Sequence, residues 1–301
     1  MQHSRGVARS KLKELTPGKL QSLSPQLRKA ARYVVEHPGE IATRSQRFVA
    51  GAANLSAPTF TRLAHAIGYE SYDDLRETCR AEVLNKRTVL AEKAQLLVEA
   101  DTSDAGFAAR HAAATIRNTE DLIANLDLEA LEAAAQMLVR ARRVALLGVM
   151  SARPIVDYAM YLANMSLSGW MVPGGGGHGL ASDLADLGPE DACIVFSIEP
   201  YAAQAIGLAR TITEQGAPLL ALTDNHLSPV AEHARHCFCI GTESPQFFPS
   251  HVAAMVFFEA IIGMVIQMKG NEAQQRIAAV ERQNHKLGEY WRDKPGSNKG
   301  A

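Results

Sequence analysis

The sequence predicts two unlike domains, an all-α domain followed by an α/β domain built on a parallel sheet. Apolar residues recur with helical spacing up to about residue 142. From residue 143, short runs of Val, Ile and Leu alternate with helical stretches, and 301 residues are enough for two domains of ordinary size. We divide the chain into an N-terminal domain over 1–80, a helical linker over 81–124, an α/β domain over 125–270, and a C-terminal helix and tail over 271–301.

Composition and charge limit the function classes. The chain is 47% hydrophobic and 21% charged, and we find neither an apolar run long enough to cross a bilayer nor a signal peptide, so we expect a cytoplasmic protein without a membrane partner. Residues 1–69 carry 11 Lys and Arg against three Glu, a charge of +8, whereas the remaining residues carry 20 basic against 29 acidic groups. A polyanion would therefore bind at the N-terminus. Residues 1–20 contain Pro17-Gly18 and no sustained period, so we interpret them as a flexible arm. Five of the 11 basic residues lie before Leu20, and the alternative is that they form only a solvated tail.

The N-terminal elements follow from capping and turn signals. Ser24-Pro25 begins a first helix, which we expect to stop at His37-Pro38-Gly39. A second apolar stripe contains Phe48, Val49, Ala52 and Ala53 and breaks at Asn54-Leu55, where Asn tolerates a left-handed backbone. Ser56 caps a third helix that ends at Gly68, and a fourth leads into the Ala/Leu-rich linker. Helix, short turn and capped helix together predict a helix-turn-helix.

The helical period gives the outer face of the third helix. Placing Phe60, Leu63, Ala64 and Ile67 inward turns the neighbouring polar positions outward, where they can reach the major groove or the phosphates. Arg62 is the candidate for a guanine contact, and Arg44 and Arg47 on the preceding helix would contact the DNA backbone. The alternative is a packing or oligomerisation domain with a solvated outer face. The candidate DNA-binding residues are Arg44, Arg47, Ser56, Pro58, Thr59, Thr61, Arg62 and His65.

The second half predicts a parallel sheet covered on both faces, because its strands are almost continuously apolar and alternate with helices. Candidate strands are 143–149, 168–173, 192–197, 217–222 and 236–241. Candidate helices are 152–166, 180–187, 201–214, 227–234, 250–269 and 272–291. Ligands bind such sheets at the carboxyl ends of the strands, where Ser151, Ser197, Glu199 and Thr223 are found, although a Ser at such a turn is often only a helix cap.

Two further features of this half each have two interpretations. Gly174 to Gly177 follow the second strand, and we interpret them as a flap over the site, the alternative being an anion-binding nest of amides. Cys237 and Cys239 suggest a metal site, but they share one face of a strand and no second Cys pair accompanies them. We therefore expect no metal and no cofactor.

The N-terminal half resembles the RpiR family of bacterial regulators. The resemblance is carried by Leu23-Ser24-Pro25, His37-Pro38, Asn54-Leu55-Ser56, Thr59, Arg62-Leu63, Ile67-Gly68-Tyr69 and Tyr72-Asp73-Asp74-Leu75. Residues 125–270 resemble the SIS domain, a phosphosugar-binding fold of the flavodoxin-like, Rossmann type, through Thr223-Asp224, Ser228-Pro229 and the segment 244–250. The family's phosphate loop commonly reads Ser-x-Ser-Gly-x-Thr, whereas this chain has Ser197-Ile198-Glu199-Pro200-Tyr201-Ala202. The candidate ligand residues are Ser151, Ser197, Glu199, Thr223 and Ser250.

The resemblance implies a regulator without enzymatic activity, whose partners are an operator in double-stranded DNA and a small effector such as a phosphorylated sugar. The alternatives are a sugar phosphate isomerase with an accessory helical domain and a scaffold that binds neither. One helix-turn-helix reads few base pairs, so we expect a homodimer or homotetramer. The surfaces available for assembly are the helices of 85–142 and the apolar helix 250–269.

Overall fold

The computed structural model describes residue 11 and residues 17–86, 89–99, 106–175, 177 and 179–291. Most of the arm predicted over residues 1–20 and the tail after residue 291 therefore lie outside the described residues. Within the arm, Pro17-Gly18 does not belong to an irregular segment, because Pro17–Ser22 forms a short helix. Proline is favoured at the first helical position, where its missing N–H costs nothing.

Six helices build the N-terminal domain in the described part of the chain. The predicted stop of the first helix at His37 is confirmed, and a further helix, which we did not predict, begins directly at Pro38. Ser24 caps the longer of these two helices by accepting a hydrogen bond from the Leu27 amide. The helices are α1 (Pro17–Ser22), α2 (Pro25–Glu36), α3 (Pro38–Thr43), α4 (Gln46–Ala52), α5 (Ala57–Ala66) and α6 (Tyr72–Lys86).

The core of this domain is formed by α2, α3, α5 and α6 around Phe60, Leu63 and Leu75, which are fully buried. Two residues that we assigned to the buried stripe of α4 are exposed, Ala52 and the half-exposed Phe48. The helix has only seven residues, and Val49, Ala50 and Ala53 already cover the core on its inner side. Phe48 therefore lies on the outer surface, next to the basic residues described below.

Helix α8 belongs to the α/β domain and not to a linker. After α7 (Val89–Glu99), α8 (Gly106–Asn125) packs on the long helix α13 (Val252–Lys269). Its buried Asn118 donates from Nδ2 to the carbonyl of Glu243 (2.8 Å) and accepts from the Glu243 amide (3.1 Å). Gly241 permits this approach, because an added Cβ would lie 2.7 Å from Asn118 Oδ1. The boundary that we placed at residue 125 therefore cuts through this domain.

The sheet has five parallel strands in the order β2-β1-β3-β4-β5, which confirms the predicted fold class. Buried residues cover both faces, as expected from continuously apolar strands. The second strand is only two residues long, where we predicted six. The strands are β1 (Val144–Gly148), β2 (Trp170–Met171), β3 (Ala192–Phe196), β4 (Leu219–Thr223) and β5 (His236–Cys239).

The helices of the sheet lie close to their predicted positions, except that the helix predicted over 227–234 is reduced to a 3-10 turn, Ala231–His233. By length and composition α13 could span a membrane, but it packs as a core helix against α8, α9 (Leu128–Arg140) and α10 (Ala152–Ser166). The last helix packs on α10 and α13 and thus extends the domain beyond residue 270. The helices are α9 (Leu128–Arg140), α10 (Ala152–Ser166), α11 (Leu180–Ala185), α12 (Ala203–Glu214), α13 (Val252–Lys269) and α14 (Asn271–Leu287).

The two domains touch through the loop between β4 and β5. Leu227, in this loop, is only 2% exposed, and it packs into the hydrophobic core of the N-terminal domain. Arg32 on α2 forms a hydrogen-bonded ion pair with Glu232 at the end of the same loop. Within the described part of the chain, an apolar contact and an ionic contact therefore join the helical domain to the sheet.

Candidate functional site

The turn between α4 and α5 has the geometry of a helix-turn-helix. Asn54 adopts the predicted left-handed conformation, with φ of +51°. Gln46, at the start of α4, donates from Nε2 to the Ala57 carbonyl (2.9 Å) and to Thr61 Oγ1 (2.8 Å), and so ties the two helices together. We did not select Gln46 from the sequence, because a polar residue at a helix start carries no signal of a partner 15 positions away.

Most of the predicted reading face is open to solvent. Thr61 is half-buried, and its hydroxyl is already bonded to Gln46. Thr59 does not belong to this face: it is 3% exposed and its Oγ1 lies 2.8 Å from Ser56 Oγ, so the two hydroxyls satisfy each other in the first turn. The exposed members of the predicted set are Arg44, Arg47, Ser56, Pro58, Arg62 and His65.

Positive charge surrounds α5. Arg44 does not lie on α4 as predicted but follows the last residue of α3, where its guanidinium stacks over the Phe48 ring at 5.2 Å from the ring centre. Arg47 extends from the first turn of α4, and no acidic residue occurs between 41 and 69. A convex helix flanked by arginines can enter a groove of DNA while the flanking guanidinium groups bind phosphates.

In the α/β domain, the residues predicted to bind a ligand follow the carboxyl ends of β1, β3 and β4, which are neighbours in the sheet. The turn after β1 is tight, because a Cβ on Gly148 would lie 2.7 Å from Val156 Cγ2 and 2.9 Å from the Ala152 carbonyl. In the same turn, Met150 adopts a left-handed conformation, with φ of +53°, and is 77% exposed. Ser151 follows at the start of α10, half-buried and without a capping hydrogen bond.

The other predicted ligand residues are less accessible. Thr223 is fully buried and donates to Asp224 Oδ1 at 3.3 Å, so this side chain is not available to a ligand. It is the last residue of β4 and lies between β3 and β5. Ser197 and Ser250 are also buried, and Ser250 Oγ accepts from the Val252 amide at 3.4 Å. Glu199 is half-buried at the same edge.

The imidazole of His251 lies next to the backbone of both Ser151 and Ser250. Its ring packs edge-on against Phe196 (5.7 Å) and near Phe248 (5.9 Å). Burial lowers the pKa of His251, and the neighbouring backbone groups of Ser250 and Ser151 offset part of that effect, so the imidazole is neutral near pH 7. Both ring nitrogens are buried, and neither makes a hydrogen bond of standard geometry within the described part of the chain. Such groups are suited to a polar ligand.

A cleft of about 120 Å³ lies at the same sheet edge, between the ends of β1 and β2 and the helices α10, α11 and α12. It lies where connections from β1 and β3 diverge to opposite faces, the usual position of a ligand in such sheets. None of the five predicted ligand residues lines it. The described residues that do are Leu146, Leu147, Gly148, Val149, Arg153, Val172, Pro173, Gly174, Leu180, Gln204 and Leu208.

Arg153 is the one cation among these lining residues, and we did not select it from the sequence. Its Nε donates to Asp157 Oδ1 at 2.8 Å in the first turns of α10. A Cβ on Gly175 would lie 3.6 Å from Arg153 Nη2, so the glycine-rich segment approaches the guanidinium closely. Gly176 and His178 lie outside the described residues, and whether the segment is a flap stays a prediction. The cleft thus combines a guanidinium with the Gln204 amide and apolar walls.

Comparison with known proteins agrees with both halves of the chain. The SIS domain family matches residues 137–264. Over 261 residues the chain is 24% identical to a protein described as an uncharacterized HTH-type transcriptional regulator of Haemophilus influenzae, covering 85% of this chain and 90% of that protein.

Two solved structures share the fold. The sugar isomerase domain of an RpiR transcription factor from Sphaerobacter thermophilus is 23% identical, with a TM-score of 0.53 over 60% of this chain and 99% of that one. The Vibrio vulnificus NanR protein complexed with ManNAc-6P is 17% identical, with a TM-score of 0.53 over 90% of this chain and 98% of that one. The chain thus contains an SIS domain behind a helical N-terminal domain, and its resemblance to the RpiR type of regulator is confirmed.

Proposed function

We propose that this protein is a cytoplasmic DNA-binding transcription regulator whose SIS domain binds a small carbohydrate metabolite and thereby changes operator binding. The observation that carries the proposal is the exposed face of α5, which presents Arg62 and His65 to solvent. Arg44 and Arg47 lie on the elements before this helix, and Gln46 holds the helix in place through two hydrogen bonds. The similarity to HTH-type transcriptional regulators over most of the chain supports it.

Arg62→Ala tests the reading face. Operator fragments would first be selected from genomic DNA with the wild-type protein, and affinities would then be measured by fluorescence anisotropy. Because Arg62 is exposed and lies outside the core, its loss should leave the fold intact and weaken binding by about 1–3 kcal/mol, which is about 5- to 150-fold.

The matched control is Arg210→Ala, an exposed arginine on α12 in the other domain, which should bind like the wild type. The wild-type affinity should also fall steeply with salt, since several phosphate contacts release counterions. Wild-type affinity of Arg62→Ala, or no selectable DNA at all, would contradict the proposal.

The effector site that we propose is the cleft at the ends of β1 and β2, together with the adjoining turn at Ser151. Arg153 would bind the anionic part of the ligand, and Gln204 and Ser151 would bind its hydroxyls. Glu199 would repel a phosphate placed at the loop after β3, so the phosphate end belongs near Arg153. The fold shared with NanR, whose structure contains ManNAc-6P, makes sugar phosphates the first ligands to try.

The effector can be identified by following the melting temperature of the full chain with a panel of phosphorylated and unphosphorylated sugars. A ligand that raises the melting temperature should also change DNA affinity, and Arg153→Ala should abolish both effects while leaving basal DNA binding unchanged. The double variant Ser151→Ala with Ser197→Ala should behave in the same way. Arg140→Ala, on the exposed side of α9, is the control. A normal ligand response in both site variants would place the effector elsewhere.

We also propose that the protein is at least a dimer, which two half-sites in DNA require. Large apolar side chains are exposed on two helices of the α/β domain: Ile116 and Ile123 on α8, and Tyr161, 64% exposed, on α10. The apolar helix 250–269, which we expected to offer a second surface for assembly, buries Ile262 in the core. Sedimentation as a monomer at micromolar concentration would overturn this assembly.

One observation keeps the isomerase alternative open. The neutral imidazole of His251, next to Ser151 and Ser250, could act as a general base on an open-chain sugar. An isomerase assay on the ligands found by the melting screen decides between the two. Turnover that His251→Asn removes would favour the enzyme, whereas binding without turnover supports the regulator.

A further inference from the structure

Three potential metal ligands converge at the end of the sheet that faces the N-terminal domain. Cys237 and Cys239 are alternate residues of β5 and so lie on one face of this edge strand, as the sequence predicted. The sequence alone argues against a metal there, because no second Cys pair accompanies these two residues. The third ligand comes instead from the loop after β4: a ring nitrogen of His226 and the two sulfur atoms all lie within 4.8 Å of one another.

The three side chains also interact directly with one another, since Cys237 forms hydrogen bonds with both Cys239 and His226. A hydrogen bond from Cys239, assisted by His226 and opposed by burial, lowers the pKa of Cys237 to about 6. Burial and the neighbouring Cys237 raise the pKa of Cys239 well above its ordinary value. Thiolate, rather than thiol, is the form of cysteine that binds a metal.

We propose that Cys237, Cys239 and His226 bind one thiophilic divalent cation of the zinc class. Two sulfur donors and one nitrogen donor match the preference of Zn²⁺, whereas Mg²⁺ and Ca²⁺ require oxygen donors. Three protein ligands leave the fourth position of a tetrahedral ion to water or another small donor. Cysteine must lose its proton to bind a metal, so the affinity should rise with pH.

The position of the cluster gives the ion a role at the junction of the domains. Leu227, whose side chain is buried in the core of the N-terminal domain, directly follows His226. The amide of Leu227 donates to Asn225 Oδ1 at 2.7 Å, so the loop is folded tightly around this point. An ion that fixes His226 to β5 would also fix the residue that holds the N-terminal domain against the sheet.

The site is tested on the full-length, reduced, metal-free protein by titration with Cd²⁺ and with Zn²⁺. Cd²⁺ should bind with one equivalent per chain and produce ultraviolet absorption from thiolate-to-metal charge transfer, and Zn²⁺ should displace it. Cys237→Ser, Cys239→Ser and His226→Ala should each lower the affinity by at least about tenfold, since even an outer partner of a ligand commonly contributes that much. Circular dichroism checks that each variant is folded.

Two control variants each remove a residue of the same type as a ligand, but from a position outside the cluster. Cys193→Ala removes a cysteine buried within β3, and His233→Ala removes a half-buried histidine from the 3-10 turn of the same loop. Both should bind like the wild type. Stoichiometric binding that only the three ligand variants lose supports the site. No stoichiometric binding by the wild type, or binding that all three variants retain, overturns it.

The role at the junction has its own readout, which needs no DNA and no effector. Zn²⁺ should slow amide hydrogen exchange over residues 25–66 of the wild type and leave His226→Ala unchanged. Unchanged exchange in zinc-saturated wild-type protein would overturn this role. Because neither measurement involves DNA or sugar, the metal site can fail while the proposed regulator stands.

Discussion

Asp191, next to the start of β3, forms an ion pair with Arg142, next to the start of β1, and we expect this pair to stabilise the folded protein. Asp191, whose side chain is fully buried, precedes β3 and accepts two hydrogen bonds from Arg142, at 3.0 Å (Nε to Oδ1) and 2.7 Å (Nη2 to Oδ2). Arg143 and the Gly188 amide add longer bonds. These contacts hold β1 and β3 together at the end of the sheet opposite the proposed effector site. We therefore expect Asp191→Asn, which keeps the shape and removes the charge, to destabilise the sheet.

The pKa of Asp191 gives the magnitude. Burial alone would raise it, but the hydrogen bonds from Arg142, Arg143 and Gly188 lower it from 3.8 to about 2. The difference corresponds to about 2.5 kcal/mol of folding free energy. Because the folded pKa is the lower one, this stabilisation is present above pH 4 and is lost as the pH falls from about 4 to 2. Asp191→Asn should thus lose about 2 kcal/mol at pH 7 and little at pH 2.

Tryptophan fluorescence follows the relevant transition. Trp170 in β2 is buried, whereas Trp291 is exposed, so Trp291→Phe gives a background in which fluorescence reports the sheet. Urea unfolding from pH 7 down to pH 2 then compares Asp191→Asn with its parent. Glu214→Gln removes the exposed pair with Arg210 and should change stability by less than about 1 kcal/mol. Equal stability of Asp191→Asn and its parent at pH 7 would refute the reasoning.

Three further predictions concern packing. Gly241→Ala should lower the free energy of unfolding by about 1–3 kcal/mol, because the added Cβ would press on Asn118. Gly207→Ala, in open space on α12, should raise it by about 0.5–1 kcal/mol. Urea unfolding measures both, and an unchanged stability of Gly241→Ala would contradict the close contact. Leu227→Ala should lower the free energy of unfolding by about 2–5 kcal/mol and speed amide hydrogen exchange in the N-terminal domain. Unchanged exchange would show that Leu227 does not hold the domains together. Gln46→Ala should remove two hydrogen bonds, about 1–3 kcal/mol, and lower the melting temperature; an unaltered melting curve would argue against this link.

The order of domains, the parallel sheet and the outer face of α5 could be predicted because they depend on local signals. Capping at Ser24, the left-handed Asn54 and the helical spacing of Phe60 and Leu63 each act within a few residues. For residues at the margin of an apolar stripe, the helical period alone does not predict whether the side chain is buried. Thr59 is buried and Phe48 is exposed, because the core was already closed by neighbours from other helices.

The site residues that were missed come from loops and from distant pairs. The strand ends placed Ser151 and Ser197 at one edge, since all carboxyl ends of a parallel sheet meet there. The path of the loop after β4, which brings His226 to Cys237, has no periodic signal in the sequence. The same holds for the approach of the glycine-rich segment to Arg153, which depends on packing between β2 and α10.

The pairing of Asn118 with Glu243 decides how the molecule can be divided for study. A truncated chain starting at residue 125 would remove α8, leave the amide and carbonyl of Glu243 without these partners, and uncover one side of α13. Such a fragment should be poorly soluble, because buried apolar surface would become exposed. A fragment starting at Gly106 and ending at Leu287 keeps α8 and α14 in place, and is the smaller piece in which the effector cleft should survive without the DNA-reading helices.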